Sequence, residues 1–221
     1  MAPSRSLLRR GDRRSSAEDL RRRGSRREPK RRILVVCEGG VTEAGYFKDL
    51  RAAFRNPLVV VEIDDEGGVP KTLVERAAAR KRDAERDAKS QRDEFLSYDE
   101  VWCVFDVDEH PHLPDARQQA RDHGIRLAIS NPCFELWALL HFQDHSAYLE
   151  RKDARRRLKR HLPHYEKALP FARLHPAYAE AVQRAQELER RRKDAGDPGG
   201  NPSTDVHKLT EQIREGGKSA P

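Results

Sequence analysis

Four short apolar runs alternate with segments of helical periodicity in the first two thirds of the chain, and this alternation constrains the fold more than any other feature. Such runs indicate buried strands, because they are short, rich in β-branched residues and bounded by Gly, Pro or acidic residues. They are RRILVVC at 31–37, PLVVVEID at 57–64, EVWCVFD at 100–106 and IRLAIS at 125–130. Strands that alternate with helices form mostly parallel sheets with right-handed crossovers. We therefore predict an α/β fold with a mostly parallel sheet of about four strands flanked by helices.

Helix boundaries follow from capping and proline signals. Thr42 is in position to cap the helix after the first strand, and Pro70 to begin the next one. Asn131 is predicted to cap a helix whose first residue is Pro132. A last helix is predicted from about Ser203, capped by Ser203 or Thr204.

The chain divides into three parts by composition. Residues 1–31 indicate a disordered basic tail, 32–150 the α/β core, and 151–221 a polar helical extension packed on that core. The net charge is +7, and residues 1–32 hold thirteen Lys and Arg against four Asp and Glu. The tail is either an arm that binds phosphate backbones or a solvated extension, and the sequence favours neither.

Composition excludes several classes of protein. No stretch approaches the roughly 20 apolar residues needed to span a bilayer, and the N-terminus lacks the apolar segment of a signal peptide. Cys37, Cys103 and Cys133 are far apart and form no CxxC pair, which predicts free thiols in a reducing cytoplasm rather than a zinc site.

Acidic residues stand where two of the predicted strands end. Glu38 follows the first strand; Asp106 ends the third, and Asp108 lies two residues further on. Residues i and i+2 of an extended chain point to the same side, so Asp106 and Asp108 can face one point. If the first and third strands are neighbours, the three carboxylates crowd one edge of the sheet. A divalent cation relieves this repulsion, and Mg²⁺ prefers hard oxygen ligands.

Further candidates surround this edge. Gly39 and Gly40 lack side chains and allow the backbone to approach a phosphate. Glu43 suits either the helix dipole or a metal. Glu135 lies among apolar residues, where a free acid is costly, and this favours a role in the site. His141 either contacts a phosphate or acts as a general acid, or it is a core histidine with its hydrogen bonds satisfied.

Four motifs in this order resemble the RloB-like family over about residues 32–215: VVCEGGVTEAGYF, VFDVDEH, SNPCFELWALLHF and NPSTDVHKL. The resemblance implies a relation to the Toprim domain, whose glutamate and DxD pair hold Mg²⁺. The corresponding residues here are Glu38, Asp106 and Asp108. It also implies further catalytic acids at Glu43 and Glu135, and a substrate-binding motif with Asn201, Ser203 and Thr204.

The resemblance leads to a hypothesis about function. We expect a Mg²⁺- or Mn²⁺-dependent nuclease that cuts RNA, such as tRNA, or DNA in bacterial antiphage defence, with an ATPase encoded nearby as a possible partner. The alternative is a non-catalytic sensor of nucleic acids or nucleotides within a defence complex. A primase-type phosphoryl transferase is a third option, although nothing in the sequence indicates a nucleotide pocket. The basic cluster at 155–160 either guides a nucleic acid toward the acids or is a solvated face. The oligomeric state stays open.

Overall fold

The computed structural model describes residues 30–107 and 113–215. Within these ranges, five strands form one sheet in the order β2-β1-β3-β4-β5. The strands are β1 Arg31–Cys37, β2 Val59–Asp64, β3 Glu100–Asp106, β4 Arg126–Asn131 and β5 Ser203–Thr204. The first four are parallel, as predicted, and β5 runs antiparallel to β4.

Helices cover both faces of the sheet. They are α1 Thr42–Phe54, α2 Pro70–Gln91, α3 Leu113–Asp122, α4 Glu135–Leu140, α5 Arg151–His161, α6 Phe171–Leu174, α7 Tyr178–Asp194 and α8 Val206–Glu215, with 3-10 turns at Glu94–Leu96 and His175–Ala177. The mixed α/β class predicted from the alternation is confirmed.

Two apolar clusters account for the continuous hydrophobic runs of the central strands. Trp102 and Val104 of β3 pack on the face covered by α1 and α4–α8. Cys103 and Phe105 pack on the opposite face, against α2 and α3. Every residue of β3 is buried, because both of its faces are covered, and this removes the apolar–polar alternation of a half-exposed strand. The three cysteines are buried free thiols, as predicted.

Two of the predicted helix starts are wrong. Thr42 is the first residue of α1 rather than its cap, and Val41 precedes it without a capping side chain. Asn131 is the last residue of β4, and α4 begins at Glu135 instead of Pro132. The pairing of β4 with β5 keeps the backbone extended through Asn131, which delays the helix. Pro70 does begin α2, as predicted.

The predicted cap of the last helix is also wrong in position. Ser203 and Thr204 form β5, which pairs with the end of β4, and α8 begins at Val206. The Thr204 hydroxyl still accepts a hydrogen bond from the Val206 N–H at 3.4 Å. In the part of the chain that the structure describes, no helix combines the length and the apolar character needed to cross a membrane.

Candidate functional site

The carboxyl edge of the sheet brings Glu38 and Asp106 together. β1 and β3 are hydrogen-bonded neighbours, as the sequence prediction required. The Glu38 N–H donates to the Val104 carbonyl at 2.9 Å, which extends the pairing one residue beyond β1. The Glu38 carboxylate accepts a hydrogen bond from the Asp106 N–H at 2.9 Å. The two acids are therefore fixed beside each other by main-chain geometry.

Asp106 is a buried acid that is only partly compensated. Its side chain lies at the end of β3, and the residue is 6% exposed. Oδ2 lies 3.2 Å from Nη2 of Arg151, whereas Oδ1 is buried without a hydrogen-bond partner among the described residues. Burial raises the pKa of Asp106 well above its ordinary value, and the negative charge of Glu43 adds to this effect. Such a carboxylate is short of positive charge.

The Glu43 carboxylate lies directly beside Gly39. Glu43 lies in the first turn of α1 and is buried. A Cβ at Gly39 would lie 2.0 Å from Oε2 of Glu43, so this acid occupies the space that a side chain would need. At Gly40 a Cβ would lie 2.8 Å from the Asp65 carbonyl oxygen. Burial raises the pKa of Glu43, and the charges of Glu38 and Glu135 raise it further.

Glu135 is buried but well satisfied. It is the first residue of α4, and its Oε1 accepts hydrogen bonds from Arg155 Nε at 2.7 Å and from the Tyr165 hydroxyl at 3.1 Å. Burial acts to raise the pKa of Glu135, but hydrogen bonds from Cys133 and Arg155 outweigh it and lower the pKa. This acid stays ionised at neutral pH.

These acids line one cavity of about 220 Å³. Its charged side chains are those of Glu38, Glu43, Asp106, Glu135, Arg151, Arg155 and Lys167, and Gly39 and Gly40 also line it. Four carboxylates therefore face three cations across a small space. The structure brings together every predicted catalytic acid that lies within the described ranges. Asp108 lies outside the described residues, so the third predicted metal ligand stays a prediction.

His141 lies away from this cavity, in the aromatic core. It is 3% exposed, its Nδ1 lies 2.9 Å from the Trp137 carbonyl oxygen, and its ring packs on the Trp137 ring at 4.8 Å. Burial lowers the pKa of His141 to about 4, so the imidazole is neutral at neutral pH. These contacts support the core interpretation of His141 over the phosphate-binding one.

The NPST residues also lie outside the acidic cavity. The side-chain amide of Asn201 accepts from the Leu149 N–H and donates to the Leu149 carbonyl, each at 2.8 Å. The Thr204 hydroxyl lies 3.0 Å from that of Ser130. Ser203 and Thr204 border a different cavity of about 230 Å³. The contacts of Asn201 and Thr204 tie two chain segments together.

Sequence reasoning missed two of the three cations in the basic wall of the cavity, Arg151 and Lys167. Arg151 and Arg155 lie on α5, and Lys167 lies between α5 and α6. Residues four apart on a helix share a face, so the spacing of Arg151 and Arg155 was the available signal. The prediction singled out a basic cluster at 155–160 that either guides a nucleic acid toward the acids or is a solvated face, and Arg155 of that cluster does line the cavity.

The donor set suits a small, hard cation only in part. Among residues 30–107 and 113–215, no three His, Cys, Asp or Glu side chains group closely enough to hold a metal ion. Mg²⁺, however, commonly uses one or two carboxylates and completes its shell with waters and substrate phosphates. Glu38 and Asp106, with the partnerless buried oxygen of Asp106, fit that smaller set. Arg151 contends with a cation for the same acid.

Fold and cavity together define a mostly parallel α/β domain with a cavity of mixed charge at the carboxyl edge of its sheet. The sequence model of the RloB-like protein family matches residues 33–213. The chain therefore belongs to the RloB-like family, and the resemblance of its four motifs is confirmed. No curated protein and no solved structure matches the chain.

Proposed function

We propose that this protein is a Mg²⁺- or Mn²⁺-dependent phosphodiesterase that cuts nucleic acid. The observation that carries the proposal is the Asp106 carboxylate, which is buried beside Glu38 and leaves one oxygen without a hydrogen-bond partner in the described chain. A buried, undercompensated acid is unfavourable unless it serves a ligand. The position at the carboxyl edge of parallel strands is where α/β proteins place their sites.

The acids take different roles in this proposal. Glu38 and Asp106 would hold the ion, together with Asp108 if the predicted third ligand is correct. When bound, such an ion polarises a phosphoryl oxygen and lowers the pKa of a bound water. Glu43, whose pKa is raised by burial, is suited to the transfer of a proton. Glu135 stays ionised and orients the Arg155 guanidinium.

The substrate class follows from the charge of the cavity. A nucleic-acid backbone offers phosphodiesters that the three cations of the cavity attract. The proposal covers RNA, including tRNA, and DNA. The setting in antiphage defence, the cytoplasmic location and an ATPase partner belong to the proposal as what the family resemblance implies.

One observation favours a second function, a non-catalytic sensor. Arg151 and Arg155 already contact Asp106 and Glu135 directly. Side chains thus supply part of the compensation that a metal ion would otherwise provide. A sensor would use the same cavity to bind a phosphate group without cutting it.

Cleavage assays separate the two functions. Labelled tRNA, single-stranded DNA and duplex DNA are incubated with the full chain in Mg²⁺, Mn²⁺ or EDTA. We expect metal-dependent cutting that falls by at least about 100-fold in Glu38→Gln and in Asp106→Asn, because each substitution removes a charged oxygen ligand. Asp65→Asn is the matched control, since Asp65 is an exposed acid just after β2 that pairs with Lys48 of α1.

The outcomes are distinct. Cutting that both variants retain contradicts the assigned ligands. Oligonucleotide binding that persists in EDTA, with no cutting in either metal, supports the sensor. Equal loss in Asp65→Asn indicates an effect of overall charge and argues against the site.

A further inference from the structure

The basic wall of the cavity is built by one face of α5. Arg151 and Arg155 are four residues apart and both line the cavity, and Lys167 lies beside them. Ala154 and Leu158 of the same helix are fully buried in the apolar cluster that includes α4. This packing fixes α5, so the arginines are held over the acids by the core.

Arg151 is poorly matched to its acid. Nη2 of Arg151 lies 3.2 Å from Oδ2 of Asp106, while Oδ1 of Asp106 has no hydrogen-bond partner in the described chain. Strong arginine–carboxylate pairs are frequently bidentate and close both oxygens. The Arg151 side chain is also 32% exposed, so part of the guanidinium remains accessible from the cavity side.

Arg155 likewise keeps capacity for a second ligand. It contacts Glu135 through Nε at 2.7 Å, and its side chain is 49% exposed. Contact through Nε directs one edge of the planar fork at the acid. A guanidinium offers five N–H donors in a geometry that matches phosphate oxygens.

An incoming phosphodiester would be repelled by the four acids of the cavity, so its binding requires cations on the opposite wall. We propose that Arg151 and Arg155 bind substrate phosphates, and that Arg151 moves from Asp106 to a phosphate when a divalent cation occupies Asp106. This inference rests on the proposed function. It adds which residues bind the phosphates, and it adds an exchange in which Arg151 leaves Asp106 for a phosphate. Asp106 then controls how well the cavity binds a phosphate, through Arg151.

The exchange predicts coupling between Asp106 and Arg151 that is measurable without metal or cleavage. Binding of a fluorescein-labelled 12-nucleotide RNA, and of its DNA counterpart, is followed by fluorescence anisotropy in EDTA. We expect Asp106→Asn to tighten binding by about 10-fold, because it releases Arg151, and Arg151→Gln to weaken it by about 10-fold. In the double variant, Asp106→Asn should tighten binding by no more than about 2-fold, since there is no arginine to release.

Arg156→Gln is the matched control on the same helix. Arg156 is paired with Asp153 at 2.8 Å and does not line the cavity. Asp106→Asn in the Arg156→Gln background should tighten binding by the same 10-fold as in the wild-type background. Chemical denaturation in urea verifies that each variant is folded.

Mn²⁺ binding should change in the opposite direction to oligonucleotide binding when Arg151 is replaced. Removal of Arg151 eliminates the cation that contends for Asp106, so Mn²⁺ binding, followed by electron paramagnetic resonance, should tighten in Arg151→Gln by about 3- to 10-fold. A purely structural role of Arg151 predicts weaker binding of both oligonucleotide and Mn²⁺.

The outcomes decide the inference. The exchange is overturned if Asp106→Asn tightens oligonucleotide binding equally with and without Arg151. Weaker Mn²⁺ binding in Arg151→Gln also overturns it. Equal losses of oligonucleotide affinity in Arg151→Gln and Arg156→Gln indicate a general basic surface and also overturn the exchange. The absence of oligonucleotide binding in both the wild-type protein and Asp106→Asn overturns it as well. Metal-dependent cutting with no coupling leaves the proposed function standing without the exchange. Coupling without cutting leaves the exchange standing without the nuclease.

Discussion

The two ends of β3 carry two buried acids in opposite situations. Glu100 begins the strand and Asp106 ends it, and each is 6% exposed. Glu100 contacts Arg31 and Arg126 through Oε1, and its Oε2 accepts a hydrogen bond from the Trp102 indole at 2.7 Å. Both of its oxygens are therefore satisfied.

Asp106 has the same burial with far less compensation. One oxygen has a single cationic contact, and the other has no partner in the described chain. The comparison shows that burial of an acid is not in itself a sign of function, because the amino end of the sheet buries one as a structural group. The sign is burial that the surrounding residues leave incompletely compensated.

The largest change in the free energy of unfolding is expected at Glu100, the acid whose two oxygens both have partners. Glu100→Gln should lower the free energy of unfolding by about 2 to 4 kcal/mol, because it leaves Arg31 and the partly exposed Arg126 without their common acid. Urea denaturation at pH 7 measures this change. Glu94→Gln, at an exposed acid nearby, should change the value by less than about 0.5 kcal/mol. A loss at residue 100 no larger than at residue 94 would break the contrast between the two ends of the strand.

The next effect has the opposite sign. Asp106→Asn should raise the free energy of unfolding at pH 7 by about 1 to 3 kcal/mol, because it removes a buried charge that lacks compensation. Asparagine keeps the shape of the side chain and can donate a hydrogen bond to a neighbouring carboxylate.

The pH dependence of this gain follows from the raised pKa of Asp106. Between the ordinary value of 3.8 and the raised pKa, the folded protein binds more protons than the unfolded chain, so wild-type stability falls as the pH rises. Asparagine does not titrate. The advantage of the variant should therefore be larger at pH 7 than at pH 4 and shrink as the pH falls toward about 3.8. Denaturation curves at pH 4 and pH 7 measure it, and a gain that grows toward low pH would refute the assignment.

The smallest expected change in the free energy of unfolding tests whether Glu135, like Glu100, is a compensated acid although it lines the cavity. Tyr165→Phe should lower the free energy of unfolding by about 1 kcal/mol, since it removes the hydroxyl that donates to Glu135 at 3.1 Å. Tyr148→Phe is the control, because Tyr148 is 71% exposed. Equal stability of the two variants would place Glu135 with the uncompensated acids instead.

Much of the fold was predictable because local patterns and global packing agree. The four parallel strands coincide with apolar runs, and those of β1 and β3 are buried on both faces. β5 was not predictable, since Ser203 and Thr204 are two polar residues whose strand conformation depends on pairing with Ser130 and Asn131, more than 70 residues away. The same long-range pairing misplaced the start of α4.

The acidic half of the site was predictable for a geometric reason. Parallel strands bring their carboxyl ends to one edge, so Glu38 and Asp106 had to approach each other once β1 and β3 were neighbours. The basic half was not, because the position of Arg151 depends on where Ala154 and Leu158 dock α5 on the core. Nor does charge in the sequence distinguish Arg151, which faces the acids, from Arg156, which faces Asp153.

The placement of α5 has a consequence for protein engineering. The four acids that line the cavity lie before residue 150, whereas its three cations lie after it. A fragment that ends at residue 150 would retain all four acids of the cavity but would lack its three cations and β5. Transfer of the segment up to residue 150 to another scaffold would accordingly transfer the acids without their cations, and these acids would repel polyanions.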